Sequence, residues 1–378
     1  MLRRAVWLVG AVLLAAVFAG CGGSRGSGGS LPGSTMSAAV AANPDVDAGG
    51  SAGNRPAPGF TLRDQSGRAT SLAQFRGKVV ALAFVDSHCT TICPLTTASM
   101  VDAVRLLGPL AGRVQLLGID ANPDATRVAD VADYTRAHGL EGKWRFLTGS
   151  RTQLERVWRA YHVYVAAVHG NIDHQPIVIL IDGKGRERTI YETPMRYGGV
   201  SQQGQILADG MARLVPGHPA VAGRVSLGYV RPLRPTARTS LTSLGHGGSA
   251  VLGRGHPHLL VFFASWLQEG GPLRARLAAL DRYAAAAHAH GMPSPVAVDE
   301  LDTETSPAAV QRRLVQLAAT LRYPLVEDTA GRLADGYRVR DLPWLALTSP
   351  SGKIVWHHDG WLPAAAIERH VRAAAAAG

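Results

Sequence analysis

Cysteine is scarce in this chain: three in 378 residues, at positions 21, 89 and 93, and none after that. Its absence from the second half excludes disulfide chemistry there. Basic clusters with interleaved aromatics are missing too, so no nucleic-acid partner is expected. From Gly22 to about Ala57 large apolar residues are almost absent. Such a stretch cannot bury enough surface to fold, and it reads as a flexible Gly/Ser/Ala/Pro tether over residues 22–57. What remains is ample. Hydrophobic residues make up 46% of the chain, and the length suits two domains that each bury a core.

The N-terminus has the pattern of an export signal. Arg3 and Arg4 precede an apolar run, Ala5 to Gly20, too short for a membrane-spanning helix of ordinary length. It ends in Phe18-Ala19-Gly20-Cys21, which resembles a bacterial lipobox, with Phe18 where Leu is more usual. Residues 1–21 are therefore expected to be a lipoprotein signal, with Cys21 lipidated and the rest held outside the cytoplasm at the cell membrane. An uncleaved anchor helix is the alternative. The net charge of +11 comes mainly from arginines spread through the chain. It suits anionic lipid or an acidic partner, and equally a genome rich in Arg, Ala and Gly codons.

Beyond the tether, apolar runs alternate with helical patterns. Lys78–Asp86 (KVVALAFVD) and Pro176–Asp182 (PIVILID) read as strands covered on both faces. Helices are expected over Pro94–Leu107, Ala125–His138, Ser150–Tyr161 and Ser201–Leu214, with a strand at Arg113–Asp120. The second half repeats the plan, with strands at His258–Trp266, Pro293–Leu301 and Trp344–Ser349, and helices at Pro272–His290 and Pro307–Leu321. Phe84 to Cys89 aligns with Phe262 to Leu267, and Gln175 to Leu180 with Leu342 to Leu347. The fold class is α/β: two thioredoxin-like domains in tandem, each three layers around a mixed sheet. Their expected bounds are 58–215 and 220–378.

Cys89 and Cys93 stand where the first buried strand turns into a helix. Residues at i and i+4 share a helical face, so both sulfurs can address one ion. The helix N-terminus favours thiolate, and Pro94 suits the opening turn. Taken alone the pair also fits a plain disulfide or two buried thiols. A partner is His174, just ahead of the PIVILID strand, in a loop that this fold places beside the helix. Two thiolates and an imidazole suit copper. Asp173 is a candidate for fixing the ring tautomer or a plain loop carboxylate. His88 is a candidate fourth ligand, or only the counterpart of Trp266.

Residues from about 56 to 214 resemble the Sco/SenC family of copper-binding thioredoxin-like proteins. The resemblance rests on Cys89-Thr90-Thr91-Ile92-Cys93-Pro94, on Asp173-His174 ahead of a strand ending Leu180-Ile181-Asp182-Gly183, and on Gly118-Ile119-Asp120 with Pro123. It implies one copper held by Cys89, Cys93 and His174. It also implies a role as metallochaperone in assembling the copper centre of cytochrome c oxidase, with the copper-receiving subunit as partner. Pro176 stands where thioredoxins keep a cis-proline, a hint of thiol–disulfide exchange. The alternative is therefore a thiol–disulfide oxidoreductase in which Cys89 and Cys93 are the catalytic redox pair; no peroxidase signature surrounds them.

Residues from about 220 to 378 resemble the TlpA/ResA branch of thioredoxin-like proteins, through Ala264-Ser265-Trp266 and Tyr337-Arg338-Val339 ahead of Leu342-Pro343. Leu267, Gly271 and Asp341 stand opposite Cys89, Cys93 and His174, so all three ligands are lost. This half is expected to be a docking module presenting Trp266 and the Pro343–Trp344 loop to a partner, or else a decayed passenger. Adjacent His357 and His358 point to opposite faces of a strand and make a poor metal pair.

Overall fold

The computed structural model describes residues 38–376 apart from 39, 170, 246–247 and 270. The signal, Cys21 and the first part of the tether, residues 22–37, lie outside the described residues.

The first half runs β1 (Gly50–Ser51), β2 (Thr61–Asp64), β3 (Ala69–Ser71), β4 (Val79–Val85), α1 (Cys93–Leu107), β5 (Val114–Asp120), α2 (Val128–Ala137), β6 (Arg145–Thr148) and α3 (Arg151–Ala160). A hairpin of β7 (Val165–Val168) and β8 (Asn171–His174) follows, then β9 (Ile177–Ile181), β10 (Glu187–Glu192) and α4 (Val200–Leu214). Eight strands form one sheet in the order β1-β10-β9-β4-β5-β6-β2-β3. Strand β4 lies at its centre, parallel to β5 and antiparallel to β9.

Alternation along β4 builds the layers. Val79, Ala81, Ala83 and Val85 enter a core with Met100 and Leu107 of α1 and Leu207 and Met211 of α4. Val80, Leu82 and Phe84 face the other way, toward Leu154, Val157 and Trp158 of α3. A strand apolar at every position thus has helices on both faces.

The second half contains the hairpin β11 (Thr239–Thr242) and β12 (Ser249–Leu252), then β13 (His258–Phe263), α5 (Leu273–His290), β14 (Ser294–Asp299), α6 (Pro307–Ala318) and β15 (Leu325–Glu327). It closes with α7 (Arg332–Tyr337), β16 (Trp344–Thr348), β17 (Ile354–Asp359) and α8 (Ala364–Ala376). The sheet order is β15-β14-β13-β16-β17, with β14 parallel and β16 antiparallel to β13. The directions and connections match β6-β5-β4-β9-β10 of the first half, so the two halves share one thioredoxin-like topology.

Two expectations need correction. The C-terminal part of the tether segment is packed on the fold: Gly50 and Ser51 pair with β10, and Asn43 and Asp45 are buried. The Asn43 side chain donates to the Leu227 carbonyl, and the Asp47 amide to Gln203 Oε1. Backbone and side-chain hydrogen bonds hold this segment, with Val40 and Val46 packed against the core, so its low overall hydrophobicity was no guide. The other correction is Pro176. Among the described residues the cis X-Pro bond is Leu342–Pro343, so the Gln175–Pro176 bond is trans.

The halves are packed against each other. Leu95 and Ala98 of α1, with Tyr197 and Val200, belong to the apolar cluster that includes Phe262, Phe263, Trp266 and Leu342. Asp335 of α7 accepts hydrogen bonds from the amides of Tyr197 (3.0 Å) and Gly198 (2.9 Å). Lys143 donates to the Thr305 carbonyl and the Ser306 hydroxyl.

Candidate metal centre

The loop from Asp86 to Ile92 leaves the carboxyl end of β4, and Cys93 opens α1 with Pro94 behind it. Buried polar groups hold the loop. Asp86 Oδ1 accepts from the His88 amide at 2.8 Å and from Asn122 Nδ2 at 2.7 Å. The Cys89 amide donates to the Asp86 carbonyl. Asp120 and Asn122, at and after the end of β5, carry the network further: Asp120 Oδ1 accepts from the Asn122 amide at 3.1 Å. Sequence reading gave Asp86, Asn122 and Thr91 no role. The signal available for the first was only its place at the end of a buried strand.

Both cysteines are free thiols, Cys89 half-buried and Cys93 buried. The Cys93 amide donates to Cys89 Sγ at 3.4 Å, and the Thr91 hydroxyl lies 3.3 Å from the same sulfur. Hydrogen bonding from Cys93, ahead of the other contributions, lowers the Cys89 pKa below that of an ordinary thiol. Burial pushes the Cys93 thiol well up, and its place as donor to Cys89 adds to this. One sulfur is thus favoured as thiolate and the other as thiol.

His174 ends β8, opposite Val165 in the hairpin. Its Nε2 lies 3.5 Å from Cys93 Sγ, and its Nδ1 lies 3.2 Å from the Gln175 carbonyl. A carbonyl only accepts, so Nδ1 carries the proton and the Nε2 lone pair is turned toward the sulfur. Burial lowers the ring's pKa, which keeps it in the neutral form a metal needs. The tautomer is therefore set by the Gln175 carbonyl. Asp173 is exposed on the opposite side of the strand from its half-buried neighbour, because successive strand residues alternate faces.

Cys93 thus stands between the other two donors. Among the described residues, no group of three His, Cys, Asp or Glu side chains is drawn together closely enough to hold an ion as it stands. The donor chemistry nonetheless fits a soft ion: two thiols linked through the Cys93 amide, and an imidazole lone pair aimed at the sulfur of Cys93. His88 takes no part in that set. Its side chain is 62% exposed and its Nε2 lies 4.0 Å from Asp130 Oδ1.

The positions opposite these donors in the second half are filled otherwise. Leu267 is buried, and its carbonyl accepts from Arg276 at 2.9 Å. Trp266 and Trp344, expected to face a partner, are 3% and 5% exposed. The Trp266 indole donates to Thr303 Oγ1 at 3.0 Å, and its ring packs on His138 with centroids 4.4 Å apart. Its partner is the first half of the same chain. His357 and His358 each lie against a tryptophan, Trp344 and Trp356 respectively.

A family model described as SCO1/SenC matches residues 49–202. The mitochondrial SCO2 homolog of Bos taurus is 37% identical over 121 residues, 32% of this chain and 45% of that protein. The SCO1 homolog of Bacillus subtilis (strain 168) is 28% identical over 146 residues, 35% of this chain and 76% of that one. The solved copper-bound ScoI of Bradyrhizobium japonicum aligns with a TM-score of 0.36 at 23% identity, covering 42% of this chain and 99% of that one. The match thus takes in less than half the length of the bovine relative. Across residues 49–202 this chain carries a thioredoxin-like domain of the SCO1/SenC family.

Proposed function

We propose that the first domain binds one copper ion through Cys89, Cys93 and His174 and serves in the assembly of cytochrome c oxidase, delivering the metal to the copper-receiving subunit. The observation that carries this reading is the approach of His174 Nε2 to Cys93 Sγ with the ring proton held on the far nitrogen. Family membership of residues 49–202 supports it, as does the copper in the Bradyrhizobium relative. Two thiolates favour Cu(I), and the imidazole is accepted by Cu(II) as well. The same reading has the protein exported and tethered to the outer face of the cell membrane through a lipidated Cys21. Mass spectrometry of the membrane-extracted protein tests that part, since a diacylated Cys21 would be the new N-terminus.

A second reading draws on the unequal acidity of the two thiols. A thiolate-prone Cys89 beside a protonated Cys93 also suits a thiol–disulfide oxidoreductase that reduces the recipient's copper-site cysteines. Titration of the reduced protein with Cu(I) against a competing chelator separates the two. One tightly held copper, weakened at least tenfold by each of Cys89→Ser, Cys93→Ser and His174→Ala, is the expected result. Undiminished affinity in His174→Ala would exclude the three-ligand site. No tight copper, together with a readily reducible Cys89–Cys93 disulfide, would leave the oxidoreductase.

A further inference from the structure

The cysteine-less second half touches the cysteine-bearing loop directly. Thr90, between Cys89 and Cys93, donates its hydroxyl hydrogen to Asp341 Oδ1 at 2.6 Å, across 251 positions of sequence. The same oxygen accepts from the Leu342 amide at 2.8 Å, which fixes the carboxylate's direction. Asp341 is the residue that the internal repeat sets opposite His174. The loop that supplies a donor atom in one half supplies, in the other, an acceptor reaching across the interface.

Other contacts make this a fixed junction. Trp266 against His138 lies on one flank, and Leu95 and Ala98, in the turns just after Cys93, are embedded in the second half's apolar cluster. Between the halves a cavity of about 860 Å³ remains, with Ser87, His88, Cys89 and Thr90 on one wall and Ser265 and Glu269 on the other. Cys89 therefore borders the junction between the two halves.

We propose that Asp341 is a positioning residue for the Cys89–Cys93 loop, so that the second domain is a working part of the site. The inference rests on the reading of these cysteines as the working pair. Thr90 is half-buried in a short loop, and without the Asp341 anchor its backbone gains freedom, which carries Cys89 with it. A neutral hydroxyl bonded to a carboxylate is among the stronger side-chain pairs, and its loss should be visible in the chemistry of the neighbouring sulfur.

The test uses the full chain, reduced and without added metal, and follows the alkylation rate of Cys89 in a Cys93→Ser background. Asp341→Ala and Thr90→Val should each raise the rate about fivefold, the effect of one net hydrogen bond. The double variant should do no more than either single one, since both break one interaction. Asp341→Asn and Thr90→Ser keep the acceptor and the hydroxyl and should return the rate to that of the parent. Thr90→Val also guards against an Asp341 variant that fails to fold. Wild-type rates in both single variants, additive effects, or an Asn variant that behaves like Ala would each overturn the proposal. Because no copper is present, failure of the parent chain to bind copper would refute the metal reading and leave this result standing.

Discussion

At the residue scale, the environment of each side chain decides its chemistry more than its identity does. His88 adjoins Cys89 in sequence, yet it reaches toward Asp130; His174, 81 residues from Cys93, meets its sulfur. His138 shows the cost of burying an ionisable ring. It lies between Tyr134 and Trp266, its Nδ1 has no hydrogen-bond partner, and burial lowers its pKa to about 3. In the unfolded chain the same ring takes a proton near pH 6.5. Below that pH the unfolded state binds a proton that the folded state refuses, so stability falls as pH drops toward 3. The slope approaches one proton, about 1.4 kcal/mol per pH unit. Buried carboxyls with raised pKa, Asp299 and Glu300 among them, act in the opposite sense. The difference between wild type and His138→Phe isolates the ring. Urea unfolding at pH 6.5, 5.5 and 4.5 should show wild type losing stability relative to the variant by about that slope; parallel curves would mean that the ring is protonated in the fold.

At the element scale, α1 and α4 form the layer behind the cysteines. Their close approach depends on one residue. A Cβ on Gly204 would meet the Asp102 Cβ at 2.8 Å and the Ser99 carbonyl oxygen at 3.2 Å. Backbone and a rigid Cβ cannot swing aside as the end of a long side chain would. Gly204→Val is therefore expected to push the helices apart and cost about 1–3 kcal/mol of stability. An unchanged urea midpoint would show that the helices can separate freely. That β4, β5 and β9 are strands, β4 and β9 covered on both faces, followed directly from apolar runs in the sequence; their order and register did not, because a strand apolar at every position carries no mark of its neighbours. The β7–β8 hairpin was not legible, although it carries His174, because its four-residue strands are exposed or half-buried and leave no apolar signature. The short strands β1, β6 and β15 escaped for the same reason of length.

At the scale of the whole molecule, two similar halves meet with their corresponding loops toward each other. Leu95, Ala98, Tyr197 and Val200 of the first half complete the second half's core. A chain ending near residue 215 would expose that surface to water. It is expected to bind a hydrophobic dye and to unfold at lower temperature than the full chain, given about 25 cal/mol for each Å² of apolar surface uncovered. A truncated chain of unchanged Tm, without dye binding, would show that the interface contributes nothing to the first half.

Sequence alone determined the local grammar of this protein. It gave the buried strands, because runs such as Val79–Val85 are apolar at every position. It also gave the cysteine pair at a strand-to-helix turn, the candidate histidine, and a second half stripped of all three donors. Tertiary structure decided what lies between distant segments. Nothing in the neighbourhood of Asp341 announces a hydrogen bond to Thr90, and nothing near Trp266 says that its partner is His138 of the same chain. Such pairs are written in no local pattern, because contact across a domain interface depends on how two folded surfaces fit, and that is settled only once both have formed.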